Sequence, residues 1–214
     1  MQVVSLRNKK LADILNGFSD WIFSHDQKFL DSLRYGNIGT SADRACSIEY
    51  LKERQSMDII ESGYPDKSIG ADLNLGKGVD LPEEWYDRSK QLDKDIMSAL
   101  GIGFNALKMY YPSDGYIGWH HNANCPGQNL IMTYSPPGGA GYFEYQDPIT
   151  KENHRIPDPA GWSAKVGYFG SFEEPEKIFW HCARSVNTAR ITVSYVIRDQ
   201  WMWEEMVQDI ESDQ

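Results

Sequence analysis

The sequence predicts a mainly β protein with a helical N-terminal part and a core that is a jelly roll or small barrel. Short runs of β-branched and aromatic residues follow one another in the second half of the chain, and turn-forming clusters separate them with no helix in between. The first hundred residues instead place apolar residues at helical spacing. The predicted strands lie at 104–111, 116–122, 129–134, 141–146, 165–169, 177–182 and 190–198.

Amphipathic helices are predicted before the β region. They lie at 6–24, 27–33, 47–58 and 80–100. The last of them begins at Asp80, a capping residue followed by a proline and two acids, and it ends next to Gly101. The stretch 35–80 is rich in Gly, Ser and Asp, and we expect it to include a wrap or lid with a functional role.

Two further segments complete the predicted organisation. The polar, proline-bearing insertion 147–164 is expected to be a mobile flap, with Trp162 placed to line a substrate pocket. The end of the chain has the pattern of a short docking helix. We therefore expect one domain, made of a helical and irregular part (1–103), a β core (104–198) and a C-terminal helix and tail (199–214).

Composition and charge restrict the class of protein. A hydrophobic fraction of 41% with 13% aromatic residues is typical of a folded globule. The net charge of -10 does not favour nonspecific binding to nucleic acid. No apolar run reaches the length of about eighteen residues that a membrane span needs. The three scattered cysteines do not predict a disulfide framework, so we expect a cytoplasmic protein.

Two histidine-bearing segments stand out in the β region. Side chains alternate between the faces of a strand, so His120 and Asn122 share one face, while His121 points to the other as an outward or rim residue. In the second segment His181 shares a face with Phe179. Histidines in this arrangement, with a third ligand two residues after the first, indicate a facial metal triad on a β scaffold.

The first and last strands of this region supply further polar groups. The polar residues of 190–198 share one face and its apolar residues the other, and residues 108 and 110 share a face in the same way. The cavity expected from this alternation collects His120, Asn122, His181, Arg190, Thr192, Lys108 and Tyr110. A cationic, hydrogen-bonding interior beside two histidines suits a small dianionic acid bound next to a metal ion.

Three motifs carry a family resemblance. They are FNALKMYY at 104–111, DGYIGWH at 114–120, and His181 followed nine residues later by Arg190-x-Thr192. Together they resemble the non-haem Fe(II), 2-oxoglutarate-dependent dioxygenases, and within that superfamily they are most similar to the AlkB-like and phage-type branch. The resemblance covers 104–198 and does not extend to the first hundred residues.

The resemblance implies a double-stranded β-helix, that is, a cupin-like jelly roll flanked by helices, with Fe(II) and 2-oxoglutarate as cofactor and co-substrate. It implies that His120 and His181 hold the iron and that Arg190 pairs with the far carboxylate of 2-oxoglutarate. These three are the expected catalytic residues. The residues implied for the co-substrate are Arg190, Thr192, Tyr110 and Lys108. The metal site would consist of His120, Asn122 and His181.

Asn122 departs from the family pattern, which has Asp or Glu at this position. A neutral amide binds a hard cation more weakly than a carboxylate does. This departure leaves three alternatives. Asn122 completes the triad as a weaker ligand; water, chloride or another group takes its place; or the metal site is degenerate. Glu144 or Asp147 could supply a carboxylate from a neighbouring strand. If His121 were the ligand, its partner would be Ala123, an arrangement resembling the halogenases.

The expected activity is oxidative decarboxylation of 2-oxoglutarate to succinate, coupled through O₂ to hydroxylation or demethylation of a primary substrate. That substrate is a small metabolite, a peptide side chain, or a modified nucleotide or base, and the absence of a basic stripe does not favour nucleic acid. The alternatives are a non-catalytic jelly-roll binding protein with a degenerate metal site and a halogenase-like variant. Cys125 and Cys182 lack the paired spacing of a zinc site and are expected to be inert.

Overall fold

The chain folds into one curled antiparallel sheet whose two halves face each other, and helices cover the outer side of both halves. The computed structural model describes residues 1–36, 39–74, 81–102 and 104–213. The helices are α1 (Lys9–Phe23), α2 (Gln27–Ser32), α3 (Ala42–Ala45), α4 (Ile48–Gln55), α5 (Ile59–Ser62), α6 (Glu83–Leu100) and α7 (Gln200–Glu211), with a 3-10 turn at Pro175–Lys177. The first strands are β1 (Gln2–Val4), β2 (Tyr35–Gly36), β3 (Ser68–Asp72), β4 (Asn105–Tyr111) and β5 (Tyr116–His120). The remaining strands are β6 (Gly127–Ser135), β7 (Tyr142–Gln146), β8 (Asn153–Pro157), β9 (Gly161–Phe169), β10 (His181–Arg184) and β11 (Arg190–Ile197).

The strand order is that of a curled sheet folded onto itself. It runs β1-β9-β6-β11-β4-β3-β5-β10-β7-β8, with β2 beside β3. Strand β3 pairs with β4 through Ala71 and Asp72 and with β5 through Ser68 and Ile69. We call β1, β9, β6, β11 and β4 the major sheet, and β5, β10, β7 and β8 the minor sheet. This mainly β jelly roll flanked by helices confirms the predicted fold class.

Alternation along the strands produces separate apolar layers. The first cluster lies between the major sheet and the helices. In it, Ile191, Val193 and Tyr195 of β11 pack against the buried faces of α1, α6 and α7. A second cluster fills the interior between the sheets and includes Phe143 and Phe179. A third lies behind the minor sheet under α3 and α4. The polar face of β11 therefore points into the interior, between the two sheets.

The predicted helices form close to the expected bounds. Helix α6 ends at Gly101, whose φ of 66° is the left-handed conformation that glycine adopts without steric cost. Its expected cap, Asp80, lies outside the described residues. The C-terminal segment forms α7, which contacts α6 and the major sheet. Among the helices that the structure describes, none is long and apolar enough to cross a membrane.

Two segments expected to be irregular contain strands. The stretch 35–80 supplies β3, which joins the two sheets, while its residues 37–38 and 75–80 lie outside the described part of the chain. The insertion 147–164, expected to be a mobile flap, holds β8, paired along its length with β7, and the start of β9. Trp162 does not face the interior between the sheets: it packs on Tyr134 on the helix side, and its indole N–H donates to Ser19 of α1. Short strands of polar composition give little periodic signal, which is why β8 was missed.

Candidate metal and acid-binding site

A cavity of about 570 Å³ lies between the inner faces of the two sheets. The expected residues that line it are His120, Asn122, His181, Arg190 and Thr192. Tyr64, Phe104 and Arg198 also line it and are exposed, so they mark its open end. Arg190 is 1% exposed and marks the closed end. The two histidines and the arginine that sequence reasoning brought together thus share one cavity.

His120 and His181 lie directly opposite each other on β5 and β10. Their ring centroids are 4.2 Å apart. Both side chains are buried, His181 among the rings of Phe143, Phe169 and Phe179. Adjacent strands bring paired side chains this close, so one metal ion can contact both imidazoles.

A β-bulge in β5 turns His120 toward the cavity. His181 pairs with His120 and Ala183 pairs with Ile117, so β5 has one more residue than β10 between the same two pairs. The extra residue changes the phase of the strand, because Ile117 and His120 face the interior although they are three positions apart. Without the bulge, the alternation that places Ile117 inward would place His120 outward.

Hydrogen bonds fix which nitrogen each imidazole presents. Nδ1 of His120 lies 2.8 Å from the carbonyl of Gly118, and Nδ1 of His181 lies 3.0 Å from that of Phe179. A carbonyl only accepts, so Nδ1 carries the proton and Nε2 keeps its lone pair. Burial lowers the pKa of His120 to about 4 and that of His181 well below its ordinary value. Neutral rings with this tautomer are suited to metal binding through Nε2.

Asn122 follows β5 and lines the cavity half-buried. The described residues that line the cavity include no Asp or Glu, and the described chain holds no group of three His, Cys, Asp or Glu placed to bind a metal. Glu144 faces outward to Arg155, and Asp147 caps the turn between β7 and β8. The alternatives that drew a carboxylate from these two positions are therefore wrong.

His121 points away from the cavity, as alternation predicts, but it is not a rim residue. It is fully buried against Trp180, with ring centroids 4.7 Å apart. Its Nε2 lies 3.0 Å from the carbonyl of Ile59, and its Nδ1 accepts from the backbone N–H of Ala123. With both nitrogens bonded inside the core, His121 has a structural role.

Arg190 is held in a fixed orientation at the closed end. Its Nε donates to Asp158 at 2.8 Å, one terminal nitrogen donates to Thr192, and the other donates to Thr133 at 3.2 Å. The guanidinium carbon lies 5.5 Å from the ring centroid of Tyr111, which also lines the cavity. Burial raises the pKa of Tyr111 to about 12, so its hydroxyl stays protonated and can donate.

Lys165 adds a second buried cation behind Arg190. Its Nζ lies 3.1 Å from Oδ1 of Asp158 and 3.5 Å from Oγ1 of Thr133. Burial pushes the pKa of Asp158 upward, but the charges of Arg190 and Lys165 outweigh it and hold the pKa below its ordinary value. Burial lowers the pKa of Lys165, but the Asp158 carboxylate 3.1 Å from its Nζ favours the ammonium form. With Arg190 and Lys165 charged and Asp158 ionised, the cluster has one positive charge in excess, which favours an anion at this end of the cavity.

Lys108 and Tyr110 do not line the cavity, contrary to expectation. They lie on the opposite face of β4, where Nζ of Lys108 donates to Asp93 and to the carbonyl of Ser89, both on α6. Tyr110 is fully buried beside Phe23 of α1. Arg190 pairs across the sheet with Tyr111, so the inward face of β4 is the one that includes Tyr111.

Sequence reasoning missed Asp158, Lys165, Thr133 and Tyr111. A signal existed for Lys165, since it is a lone charged residue between Ala164 and Val166 in an apolar run. Asp158 follows β8, which was not predicted as a strand, so its position could not be anticipated. The choice of Tyr110 over Tyr111 depended on which face of β4 turns inward, and alternation alone does not say this.

Comparison with known proteins gives distant structural matches only. No family model matches the chain, and no curated protein matches it. Among solved structures, a Pseudomonas putida prolyl-4-hydroxylase matches at 14% identity over 78% of this chain and 91% of that one, with a TM-score of 0.35. The viral collagen prolyl hydroxylase vCPH of Paramecium Bursaria Chlorella virus-1 matches at 13% identity (77% and 94% covered, TM-score 0.32). OsALKBH1 matches at 11% identity (56% and 67%, TM-score 0.30).

Proposed function

We propose that this protein is an Fe(II)- and 2-oxoglutarate-dependent oxygenase. One observation supports this most. The same cavity contains two neutral imidazoles that present Nε2 and, at its closed end, a buried arginine. Imidazole nitrogens suit Fe(II), and a guanidinium suits a carboxylate. The family resemblance of the motifs around these residues points to the same chemistry.

His120 and His181 would hold the metal, with the amide oxygen of Asn122 as the third protein ligand. When bound, Fe(II) with 2-oxoglutarate supplies O₂ activation coupled to oxidative decarboxylation. The backbone carbonyls of Gly118 and Phe179 hold the two imidazoles in the required tautomer. Phe143, with the other rings around His181, excludes water from that side of the metal position.

Arg190, Thr192 and Tyr111 would bind the far carboxylate of 2-oxoglutarate. Arg190 remains charged at any working pH, and its planar fork matches a carboxylate. The hydroxyls of Thr192 and Tyr111 can both donate to it. Thr133 and Asp158 hold the guanidinium from behind, so the residue does not need to reorganise when the acid binds.

The open end of the cavity would receive the primary substrate. Tyr64 and Phe104 are exposed there, and the hydroxyl of Tyr64 accepts from the side-chain amide of Asn124 at 3.2 Å. Aromatic faces and amide groups at a cavity mouth can contact a small metabolite, a peptide side chain or a modified base. We propose these classes as alternatives.

Release of succinate tests the proposal. The wild-type protein with Fe(II), 2-oxoglutarate, O₂ and ascorbate should form succinate slowly even without a primary substrate. His181→Ala should abolish it, whereas His154→Ala, at an exposed histidine outside the cavity, should not. Arg190→Ala should raise the 2-oxoglutarate requirement at least about tenfold, and Arg7→Ala should leave it unchanged. Equal succinate from the wild type and His181→Ala would refute the proposal.

The absence of a carboxylate among the described cavity residues favours a second candidate, a binding protein that takes a small acid without oxidising anything. This candidate predicts binding of 2-oxoglutarate with no succinate under any condition. A halogenase-like use of the open ligand position predicts instead that chloride changes both metal binding and product. The same assay, repeated with and without chloride, separates the three.

A further inference from the structure

We propose that Asp158 is a positioning residue that restricts the closed end of the cavity to a singly charged carboxylate and disfavours a dianionic group such as phosphate. The inference rests on the proposed function, because it concerns the site assigned to the far carboxylate of 2-oxoglutarate. Asp158 acts through Arg190 and Lys165, since it does not line the cavity itself.

Asp158 binds both cations of the closed end. Its Oδ2 accepts from Nε of Arg190 at 2.8 Å and its Oδ1 from Nζ of Lys165 at 3.1 Å. The side chains of all three are at most 2% exposed. Its own backbone N–H donates to the carbonyl of Gly141 at 2.9 Å, which fixes the carboxylate relative to β7. Water does not screen these charges, so each of them affects what can bind.

The charge of this cluster matches one carboxylate. Two cations and one anion leave a single positive charge, and no Asp or Glu lines the described part of the cavity. A buried charge without a partner is costly, so the cluster favours a ligand group that brings one negative charge. A phosphate group brings close to two at pH 8, and the second would be buried without compensation.

The remaining hydrogen-bond donors also match a carboxylate. Arg190 donates to Asp158, Thr192 and Thr133, which leaves two of the guanidinium's N–H groups for a ligand. Thr192 accepts from Arg190, so its own hydroxyl hydrogen can also turn to the ligand. A planar carboxylate accepts the two N–H groups in bidentate geometry, and the hydroxyl hydrogen of Thr192 can serve one of its remaining lone pairs.

A series of variants changes the charge of the cluster stepwise. Asp158→Asn makes it doubly positive, Lys165→Gln makes it neutral, and the double variant returns it to one positive charge. A purely structural role of the salt bridges predicts that the double variant is at least as impaired as either single one. A role in charge selection predicts that the double variant regains the wild-type preference between ligands. Lys10→Gln changes an exposed lysine and is the matched control.

Calorimetric titration of the metal-free, full-length protein with butyrate, a monocarboxylate of four carbons, and with inorganic phosphate at pH 8 measures this preference. The wild type should bind butyrate more tightly than phosphate. Asp158→Asn should shift the ratio of the two dissociation constants toward phosphate by at least about tenfold, Lys165→Gln should weaken both ligands, and the double variant should restore the ratio. An unchanged ratio in Asp158→Asn, no restoration in the double variant, or no binding to the wild type would overturn the inference.

Thermal melting of each variant checks that it is folded. If Asp158→Asn does not fold, Lys165→Gln and the double variant still compare a neutral cluster with one of wild-type charge, and equal ratios in these two would overturn the inference. The titrations contain no iron and no O₂. The charge selection can therefore hold in a protein that forms no succinate, and it can fail in one that does, so the two proposals fail separately.

Discussion

Asn122 is the residue on which the proposed chemistry of the site depends most. It lies at the end of β5, on the cavity side, two positions after His120. The family that the motifs resemble has a carboxylate here, which would reduce the charge of a bound cation by one unit. The amide oxygen leaves that charge in place, so metal binding should be weaker and more dependent on the second anion, the co-substrate.

Asn122→Asp should strengthen Fe(II) binding by on the order of tenfold or more, because it adds an anionic oxygen at the third ligand position. Anaerobic metal titration measures this directly. Asn124→Asp is the matched control, since it adds the same charge in the same loop at an exposed position. If both variants strengthen binding equally, the gain is a general charge effect and Asn122 is not a ligand.

At the scale of secondary-structure elements, the bulge in β5 matters most for the site, because it turns His120 toward the cavity. Gly118 donates its N–H to the carbonyl of Lys67 at 2.7 Å, and its own carbonyl accepts from His120. A Cβ at this position would lie 3.0 Å from the oxygen of Lys67 and 3.1 Å from that of Ala45. Both contacts are with backbone, which cannot move aside as a flexible side chain can.

Gly118→Ala should therefore destabilise the fold by about 1–3 kcal/mol and weaken metal binding, because relief of the contacts displaces the bulge that orients His120. Urea unfolding and metal titration check the two effects. Gly39→Ala is the control, since nothing lies within 4 Å of a Cβ there. Wild-type metal affinity in Gly118→Ala would contradict the role assigned to the bulge.

Helix α6 is anchored to the major sheet by Asp93. It accepts from Lys108 on β4 and from the hydroxyl of Tyr195 on β11, the latter at 2.9 Å. Lys108 is 1% exposed, so loss of its partner leaves a buried charge without compensation. This contact explains why a lysine on an apolar strand face does not imply a ligand in the cavity.

Asp93→Asn should lower the free energy of unfolding by about 3 kcal/mol, because it leaves Lys108 buried and unpaired. Lys108→Met should cost less, since an apolar side chain of similar length fills the same space. Denaturant titration measures both. Neither change should alter the 2-oxoglutarate requirement, and a rise in that requirement for Lys108→Met would contradict the position assigned to Lys108.

At the scale of the whole molecule, patterns of period and alternation predicted most of the architecture. The helices at each end, the β-rich half and the division of β11 into polar and apolar faces follow from side-chain spacing. The joining strand β3 and the edge strand β8 could not be predicted from side-chain spacing, because each is short and lacks a clear alternation. Their positions depend on pairing with distant strands, which a single sequence does not specify.

Alternation likewise predicted part of the candidate site. Alternation separated His120 from His121 and joined Arg190 to Thr192, and the cavity contains the expected members of both pairs. It could not say which face of β4 turns inward, so Lys108 and Tyr110 were placed wrongly. The cluster around Asp158 was not predictable, because it brings together residues of β6, β9, β11 and the β8–β9 connection.

Anaerobic absorption spectroscopy tests the central proposal most directly, namely that the two histidines bind a metal that 2-oxoglutarate chelates. Addition of Fe(II) to the protein with 2-oxoglutarate should produce a weak visible charge-transfer band, which needs both components. His181→Ala should not show the band, and His154→Ala should show it unchanged. Absence of the band in the wild type, or its persistence in His181→Ala, would contradict the assignment of His120 and His181 as the metal site.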